Sequence, residues 1–421
     1  MKKIAASVGL LALGASALYA AESSTLNKMQ NTKAWSVQAT LRGFYDDNIA
    51  GVPDSPAPGP TESFGFSISP SVDYGYAGEQ TSFNVGYEFT GRFFDKKDIN
   101  RSDKSDFTHV FDADISHAFS PRLDFFASES FVIGQEPDMI GNTASPVPIE
   151  GDNIRNFFSL GLNCDITSLL GFSVGYNNSI YDYDAFFNSL LYDRMEHQVR
   201  LDSRWKFHPQ TSGVIGYTYI QNGYTENGFL PGSLTVLAES RDSQGHRFYV
   251  GADHVFNSTL SGSVRAGLEA YDYVNVPSSD LETSPYFEGS LRYQYQAATS
   301  IDFGARYSRT AASGSQTVGA SFIRDMETIS VYGSIKHQLA QQLFVTGSAG
   351  VVHSTFNAPG PGLALIDGES FLNYTLGLDL SYQFNPNLSG HVGYNYDQLE
   401  SDPLLRDYNR NRVYLGVTAG F

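Results

Sequence analysis

The chain has 421 residues, of which 17% are charged, and a formal net charge of −18 at pH 7. This acidity excludes nucleic acid as a partner, because neutralising phosphates requires a basic surface. The single cysteine, Cys164, can form neither an internal disulfide nor a redox pair, and we interpret it as a small apolar residue. Abundant glycine (40), tyrosine (26) and phenylalanine (30) favour many half-apolar strands in one large repetitive domain.

The beginning of the chain has the organisation of a secretory signal peptide. Two lysines are followed by an apolar run over residues 4–18 and by two alanines. The run is too short for a retained membrane helix, which needs about 20 apolar residues. We predict that residues 1–21 are removed, that residues 22–34 form a short periplasmic segment, and that residues 35–421 form one folded domain.

Beyond residue 35, segments with alternating apolar and polar side chains are separated by breaks, and short breaks alternate with long ones. The short breaks are Gly78 to Gln80, Ser120 to Arg122, Ser168 to Gly171, His208 to Ser212, Asn257 to Thr259, Ala297 to Thr299, Ala340 to Gln342 and Asn385 to Asn387. The long breaks lie near residues 49–62, 96–104, 133–155, 182–193, 222–245, 274–284, 311–325, 357–370 and 399–409. Eight turns and nine loops connect 18 strands, and 16 is the next count that the pattern allows. Short turns on the periplasmic side and long extracellular loops are typical of single-chain outer-membrane barrels.

The segment from Phe371 to Phe384 shows the alternation most clearly. One face carries seven apolar or aromatic side chains, from Leu372 to Phe384, and the other carries polar residues such as Asn373 and Asp379. In hydrocarbon every backbone polar group must be paired within the protein, so a spanning sheet must close on itself. We therefore predict an all-β fold: a single antiparallel transmembrane barrel with the apolar face towards lipid and the polar face towards a lumen.

A second segment, Met195 to Phe207, places charged side chains at alternate positions and so requires water on one side of the sheet. The alternative is a soluble sandwich with one wet face. A sandwich of about 18 long strands in one uninterrupted domain would be unusual. This segment therefore favours the barrel.

Two ends of the chain resemble known outer-membrane proteins. The last segment closes with Phe421, behind apolar residues at alternate positions, and this resembles the assembly signal of such barrels. The first strand, Trp35 to Tyr45, is followed by Asp46, Asp47 and Asn48 and resembles the opening of porin-like barrels associated with exopolysaccharide export. The chain as a whole resembles the β-barrel porin families of Gram-negative bacteria.

If the alternation holds, charged side chains of both signs line the lumen. The pore-lining candidates are Arg92, Arg200, Arg204, Arg247, Arg265, Arg292, Arg306, Glu88, Asp202, Glu288, Asp302 and Asp379. Most basic residues fall on predicted strands 8 to 14, whereas strands 3 to 5 and 16 to 17 contribute mainly acids, which would give a transverse field that orients dipolar solutes. The alternative is that these charges pair along the wall and stabilise the barrel.

Two long loops are candidates for a constriction, because an 18-stranded barrel is wide enough for an aqueous channel. One runs from Ile133 to Arg155. The other runs from Asn222 to Gly245 and contains large apolar residues that need burial, namely Phe229, Leu230, Leu234, Val236 and Leu237. One of these loops is expected to fold into the lumen, and packing on the rim or against a neighbouring subunit is the alternative.

Tyrosines on the polar faces are candidates for a surface along which sugar rings slide. They are Tyr181, Tyr249, Tyr271, Tyr273, Tyr286, Tyr332 and Tyr414. Tyrosine is also common in barrel girdles, so the residue type alone does not separate the two roles. The acids at Asp46 and Asp47, and at Asp182 and Asp184, are interpreted as solvated loop residues rather than a calcium site.

The sequence shows no catalytic constellation, and we predict that the protein is not an enzyme. The run from Gly171 to Gly175 has the spacing of a nucleophile elbow, but a turn precedes its serine and a strand follows it. The nine scattered histidines support no zinc site, and we expect neither a metal nor a cofactor.

The reading favoured by these patterns is an outer-membrane channel for passive diffusion of small hydrophilic solutes. The alternatives are an outer-membrane component of exopolysaccharide export and a non-conducting structural barrel. The expected partners are outer-membrane lipid and lipopolysaccharide, the barrel assembly machinery and the solutes themselves. The porin resemblance also implies a homotrimer.

Overall fold

The structure is a computed structural model. It describes residues 34–53, 59–97, 104–135, 152–184, 193–230, 234–275, 281–296, 298–311, 325–357, 368–402 and 407–421. The predicted signal peptide, residues 1–21, and most of the short segment after it lie outside the described residues. Within the described residues no helix is long and apolar enough to cross a membrane.

Within the described ranges, twenty strands and one short 3₁₀ helix, Ala238–Arg241, follow one another. The strands are β1 Trp35–Asp46, β2 Ser63–Ala77, β3 Thr81–Phe94, β4 Ser105–Ser120, β5 Leu123–Gly134, β6 Asn153–Asp165, β7 Leu170–Tyr183, β8 Arg194–His208, β9 Thr211–Tyr224, β10 Gly228–Leu230, β11 Leu234–Val236, β12 Ser243–Val255, β13 Leu260–Asp272, β14 Glu282–Gln296, β15 Thr299–Ala311, β16 Asp325–Ala340, β17 Leu343–Asn357, β18 Ser370–Asn385, β19 Leu388–Ser401 and β20 Tyr408–Gly420.

Eighteen of these strands form one antiparallel sheet that closes on itself. Each strand pairs with its neighbours in the chain, with β9 pairing with β12 across the small hairpin of β10 and β11. The ring is completed where β1 pairs with β20, from Gln38 opposite Gly420 to Asp46 opposite Arg412. The predicted count of 18 is confirmed, and the alternative of 16 is wrong.

The turns and loops lie where the sequence predicts them. Two to four residues join the strands at one end of the barrel, for example residues 121–122, 209–210 and 386–387. Longer segments join the strands at the other end. We call the end with short connections the turn end and the end with long connections the loop end. In outer-membrane barrels these ends face the periplasm and the exterior respectively.

The two faces of the sheet differ as the alternation predicts. On β18 the side chains of Leu376, Leu378 and Leu380 are exposed on the outer face, whereas Asn373 and Asp379 point inwards. On β20 the outer face carries Val413, Leu415 and Val417, and Leu415 is 68% exposed. Because residues directly opposite each other on paired strands share a face, these assignments extend around the whole sheet.

An ion pair locks the seam between the first and last strands at the loop end. Arg410 on β20 donates from Nε and Nη2 to both carboxylate oxygens of Asp46, at 2.6–3.1 Å, and both side chains are at most 6% exposed. The backbone N–H and side-chain amide of Asn411 donate to Asp47, and the Asn48 side-chain amide donates to the Asn409 carbonyl. The interpretation of Asp46 and Asp47 as solvated loop residues is therefore wrong, because both carboxylates close the barrel.

We expect the buried pair to contribute strongly to stability. Arg410→Gln leaves Asp46 as an uncompensated buried charge, and breaking a buried pair in this way costs about 3 kcal/mol or more. The folded barrel should unfold at a lower temperature, measured by its heat-dependent mobility in detergent gels. As a control, Lys206→Gln removes the exposed partner of Asp165, where side-chain exposures of 48% and 35% predict almost no change. Equal effects of the two substitutions would contradict this assignment.

Candidate functional site in the barrel lumen

All twelve predicted pore-lining residues lie on the inner face of the barrel. Each alternates along its strand with the exposed apolar side chains of the outer face, as Arg200 and Asp202 do with Leu201 on β8. The inner positions are Arg92, Arg200, Arg204, Arg247, Arg265, Arg292, Arg306, Glu88, Asp202, Glu288, Asp302 and Asp379. Their contribution to conduction remains a prediction.

Much of this inner charge is paired within the wall. Arg200 Nε donates to Asp202 at 2.8 Å, and Arg265 Nη2 donates to Asp253 at 2.7 Å. Arg292 lies 3.5 Å from Asp302 on the neighbouring strand. Pairing of this kind satisfies the charges without a ligand. The alternative in which inner charges pair along the wall and stabilise the barrel therefore describes a large part of the lumen.

A polar network fills the inner wall near the loop ends of β12 to β16. Arg247 donates to Glu269, and the Glu269 side chain is fully buried. The other Glu269 oxygen accepts the backbone N–H of Arg309 at 2.6 Å, and Tyr273 donates to Asp325 at 2.5 Å. Arg309 in turn lies 3.4 Å from Asp325, so the network links the four strands β12, β13, β15 and β16.

Arg309 and Asp325 were not among the candidates taken from the sequence, because the alternation places them on the outer face. Pairing between β14 and β15 ends at Phe287 opposite Tyr307, so the last residues of β15 are paired with β16 alone. Arg309 is therefore buried against Glu269 of β13, a strand that is not its neighbour. No pattern in the sequence signals this departure.

An apolar cluster occupies the inner face at the loop ends of β16 to β20. Its buried members are Met326, Phe356, Phe371, Leu399 and Tyr408, and Phe356 is 0% exposed. A water-filled lumen would expose such side chains, so the wall is packed in this sector. At the turn end the inner wall is wetter: the Arg292 and Asp302 side chains are 41% and 32% exposed. The lumen is therefore open to water at the turn end and packed along part of its wall at the loop end.

Several charged groups on the inner face form no ion pair among the described residues, and three of them are Arg306, Lys336 and Asp112. The Nε atom of Arg306 on β15 has no hydrogen-bond partner there, and the residue lies directly opposite Glu288 of β14. The structure places no carboxylate of its described residues within ion-pair distance of Lys336 on β16 or cation near Asp112 on β4. Eight strands separate β4 from β15 in either direction around the sheet, so Asp112 and Arg306 lie on opposite walls.

The inner tyrosines lie flat against the wall. Tyr249 is directly opposite Gly216, and Tyr332 is directly opposite Gly304. A Cβ atom at either glycine would collide with the ring, so the missing side chain lets the ring lie on the backbone. Six of the seven tyrosines proposed as a sugar slide are 3–7% exposed, which leaves too little free ring surface for stacking. Tyr332 alone is half-buried.

The candidate constriction loop forms the hairpin of β10 and β11 and then the 3₁₀ helix. The side chains of Phe229, Leu230, Leu234 and Val236 lie outside the described residues, as does most of the other loop, residues 136–151. Leu237 is 50% exposed rather than packed. The predicted folding of this segment into the lumen thus stays a prediction.

The end of this loop is anchored to β9. The Arg241 guanidinium lies over the Tyr224 ring at 4.3 Å, and burial lowers the pKa of Arg241. Asp242 accepts the backbone N–H of Tyr224 at 2.9 Å, and burial raises the pKa of its carboxyl. The Asn275 side chain donates to the Glu239 carbonyl and ties this loop to the next one.

The nucleophile-elbow spacing lies within a strand. Ser173 is on β7, directly opposite Asn163 and Asp202 of the neighbouring strands. In the described part of the chain, no group of three or more histidine, cysteine, aspartate or glutamate side chains is placed to hold a metal ion.

A closed barrel of 18 strands with an apolar outer wall and a charged inner wall is a transmembrane β-barrel channel. The sequence model of the family described as Putative beta-barrel porin 2 matches residues 193–421, and the chain belongs to this family. The predicted resemblance to β-barrel porins is confirmed. The protein is a porin-like channel of the outer membrane for small solutes.

Solved structures of outer-membrane porins are also similar to the chain. OccAB4 of Acinetobacter baumannii shares 11% identity over 92% of this chain and 99% of that one, with a TM-score of 0.44. A BenF-like porin from Pseudomonas fluorescens Pf-5 shares 9% identity over 92% and 99%, with a TM-score of 0.46. Pseudomonas aeruginosa OpdK, solved with vanillate, shares 10% identity over 92% and 99%, with a TM-score of 0.43. No curated protein matches the chain.

The contrast between the two ends of the lumen predicts a difference in chemical access. In a Cys164→Ser background, Arg292→Cys should react with a charged thiol reagent roughly tenfold faster than Ser354→Cys, because reactivity follows exposure. Ser354 is an inner-face residue at the loop end and is 0% exposed. Labelling rates of the folded barrels, read by mass spectrometry, provide the measurement. Similar rates would show that the loop end is as open as the turn end.

Proposed function

We propose that the mature protein, with residues 1–21 removed, lets small hydrophilic solutes diffuse passively across the outer membrane. The family assignment and the charged inner wall support this proposal. Passive diffusion needs an aqueous path and no cofactor, and barrels of this strand number are wide enough for such a path. An enzyme, in contrast, would need an ordered nucleophile and base.

The observation that carries the finer proposal is the placement of unpaired charge on opposite walls. Arg306 and Asp112 face each other across the lumen, and both lie seven or eight residues from the turn end of their strands. Two opposite charges at a similar depth produce a field across the pore rather than along it. Such a field orients dipolar solutes and favours zwitterions over ions of one sign.

Folding and function of the barrel also involve its surroundings. We propose outer-membrane lipid and lipopolysaccharide as the environment of the apolar wall, and the barrel assembly machinery as the partner that inserts the chain. Phe421, whose side chain is 71% exposed on the outer face after β20, supports the second proposal. The small solutes are transient partners in the lumen.

The test measures conductance and reversal potential of the refolded barrel in planar bilayers under a salt gradient. Arg306→Gln should raise the ratio of cation to anion permeability by roughly two- to fivefold, and Asp112→Asn should lower it to a similar extent. Arg122→Gln is the matched control, since it removes the same charge from an exposed turn outside the lumen. The double variant Arg306→Gln with Asp112→Asn should recover the native ion selectivity and lose the preference for zwitterionic solutes.

Equal shifts for Arg306→Gln and Arg122→Gln would show that net charge, not the lumen field, sets the selectivity. A folded barrel with no conductance would refute passive diffusion. That outcome would favour a structural barrel or an exopolysaccharide-export component that opens only within its complex.

A further inference from the structure

The wall of the barrel is split between β14 and β15 at the loop end. Pairing between the two strands stops at Phe287 opposite Tyr307. Beyond this point residues 282–286 of β14 pair with β13 alone, and residues 308–311 of β15 pair with β16 alone. At each of the other seams between described strands, pairing continues to within one residue of the loop end of the strand that ends first.

A proline lies at the edge of the split. Pro285 of β14 would be directly opposite Arg309 if the pairing of β14 with β15 continued. A proline has no backbone N–H to donate to a ladder, and within sheets it is confined to edges and bulges. Leu268 of β13, which pairs with Pro285 from the other side, is 66% exposed on the outer face. The split therefore begins within the apolar band of the wall.

Side chains of β13 satisfy the free backbone of β15. The Arg309 N–H donates to Glu269 at 2.6 Å, and the Tyr271 hydroxyl donates to the Arg309 carbonyl at 3.1 Å. Both side chains lie on the inner face of β13 and reach β15 past Ser284 of β14, which is directly opposite Glu269. Hydrocarbon offers backbone groups no partner, so these bonds keep the split sealed in the observed state.

One ion pair spans the split. Arg309 Nη1 on β15 lies 3.5 Å from Glu282 of β14. The same guanidinium lies 3.4 Å from Asp325 and 3.3 Å from Glu327, both on β16. The Glu282 and Glu327 side chains are 39% and 30% exposed. One cation thus serves three carboxylates, and a wider split would take it away from Glu282.

Apolar side chains lie on both sides of the split. On the inner side, Thr310 of β15 is directly opposite Met326, a member of the apolar cluster at the loop ends of β16 to β20. On the outer side, Phe287 is 42% exposed and Leu281, just before β14, is 60% exposed. The split therefore lies between an apolar region of the lumen and the apolar surface that faces lipid.

We propose that the split is a side opening through which molecules with a hydrocarbon chain and a positively charged head pass between the lumen and the outer leaflet. The loop ends of β15 and β16 move away from β14 together, because they stay paired with each other. The contacts of Arg309 with Glu282, Glu269 and Tyr271 break in this movement. The hydrocarbon chain then moves between the apolar cluster and the outer wall. This route goes beyond passive diffusion along the axis of the pore.

The charge at the split selects the head group. When the split opens, Glu282 loses its guanidinium, and an unpaired carboxylate is costly in surroundings of low dielectric. A positively charged head that approaches Glu282 replaces the missing cation and so lowers the cost of opening. A negatively charged head instead meets Glu282 and Glu327 with like charge, which raises that cost.

Photolabelling from the bilayer tests the route. The refolded full-length barrel is placed in phosphatidylcholine vesicles that contain an alkyl-trimethylammonium probe with a photoreactive group on its chain. In the native chain the probe should label Met326 and Phe356 in the lumen as well as Phe287 on the outer wall, as read by mass spectrometry. Labelling confined to the outer wall would overturn the proposal.

A link across the split separates the side route from entry through the ends of the pore. In a Cys164→Ser background, Thr283→Cys and Ala311→Cys would be directly opposite if the pairing of β14 with β15 continued, and a short bis-maleimide joins them. Labelling of Met326 should then fall roughly tenfold, because the open state is no longer populated. Ala270→Cys with Thr283→Cys, joined across the intact seam of β13 and β14, is the matched control and should be labelled like the native chain. Equal labelling of Met326 in the two linked proteins would refute the side route.

A sulfonate probe with the same chain tests the head group. In the native barrel the trimethylammonium probe should label Met326 roughly fivefold more than the sulfonate probe does, and Glu282→Gln should abolish this preference. Glu62→Gln removes a carboxylate that is 61% exposed just before β2, and it is the matched control that should keep the preference. Equal labelling by both probes in the native barrel, or loss of the preference in the control, would contradict the assigned head group. None of these experiments reads conductance, so their failure leaves passive diffusion standing, and a barrel without conductance leaves their outcome unchanged.

Discussion

The constraint on which the whole structure depends is that hydrocarbon cannot satisfy backbone hydrogen bonds. A spanning sheet with two free edges would leave a row of unpaired N–H and C=O groups on each edge, at a cost of several kcal/mol per group. Pairing of β1 with β20 removes both edges. The outer wall must then be apolar and the inner wall can be polar, so the division between lipid and lumen follows from closure itself.

This division explains why charges are tolerated at such density on the inner face. Arg247 and Glu269 are buried together, and neither could lie on the outer face without a protein partner. The inner wall therefore has two parts with different consequences for solutes. Paired groups such as Arg200 and Asp202 stiffen the wall, whereas Arg306 and Asp112 retain charge that a solute can experience.

Most of the fold was predictable from the sequence, because period-two alternation and turn residues are local signals. Within one strand, the alternation of Leu376, Leu378 and Leu380 with polar residues predicts the outer face. The eight short turns predict the number of strands. The candidate site was predictable in part for the same reason, since Arg200 and Asp202 share a strand and a face. Asp46 was misinterpreted because its partner is far away in sequence. Arg309 could not be placed, since its burial against Glu269 depends on the separation of β15 from β14 at the loop end.

Glu129 shows a different limit. Its outward position follows from the register, which places it opposite Ala113 of β4 and Phe158 of β6. An acidic residue in this strand nevertheless resembles the many acids that face the lumen, and only the register with β4 and β6 separates the two cases. Sequence patterns assign a residue to a face with high fidelity only where most neighbours on that face agree.

The lock between Asp46 and Arg410 also has a consequence for timing. The two residues are 364 positions apart, and strands β2 to β19 lie between them in the chain. Asp46 is synthesised early, and it can pair with the Arg410 guanidinium only after β20 has been added beside β1. Contacts of such separation form late, because the entropy of closing the intervening chain must be overcome first. The ion pair thus distinguishes a finished barrel from an unfinished one, and a chain cut short before Arg410 would keep an unsatisfied charge at its open seam.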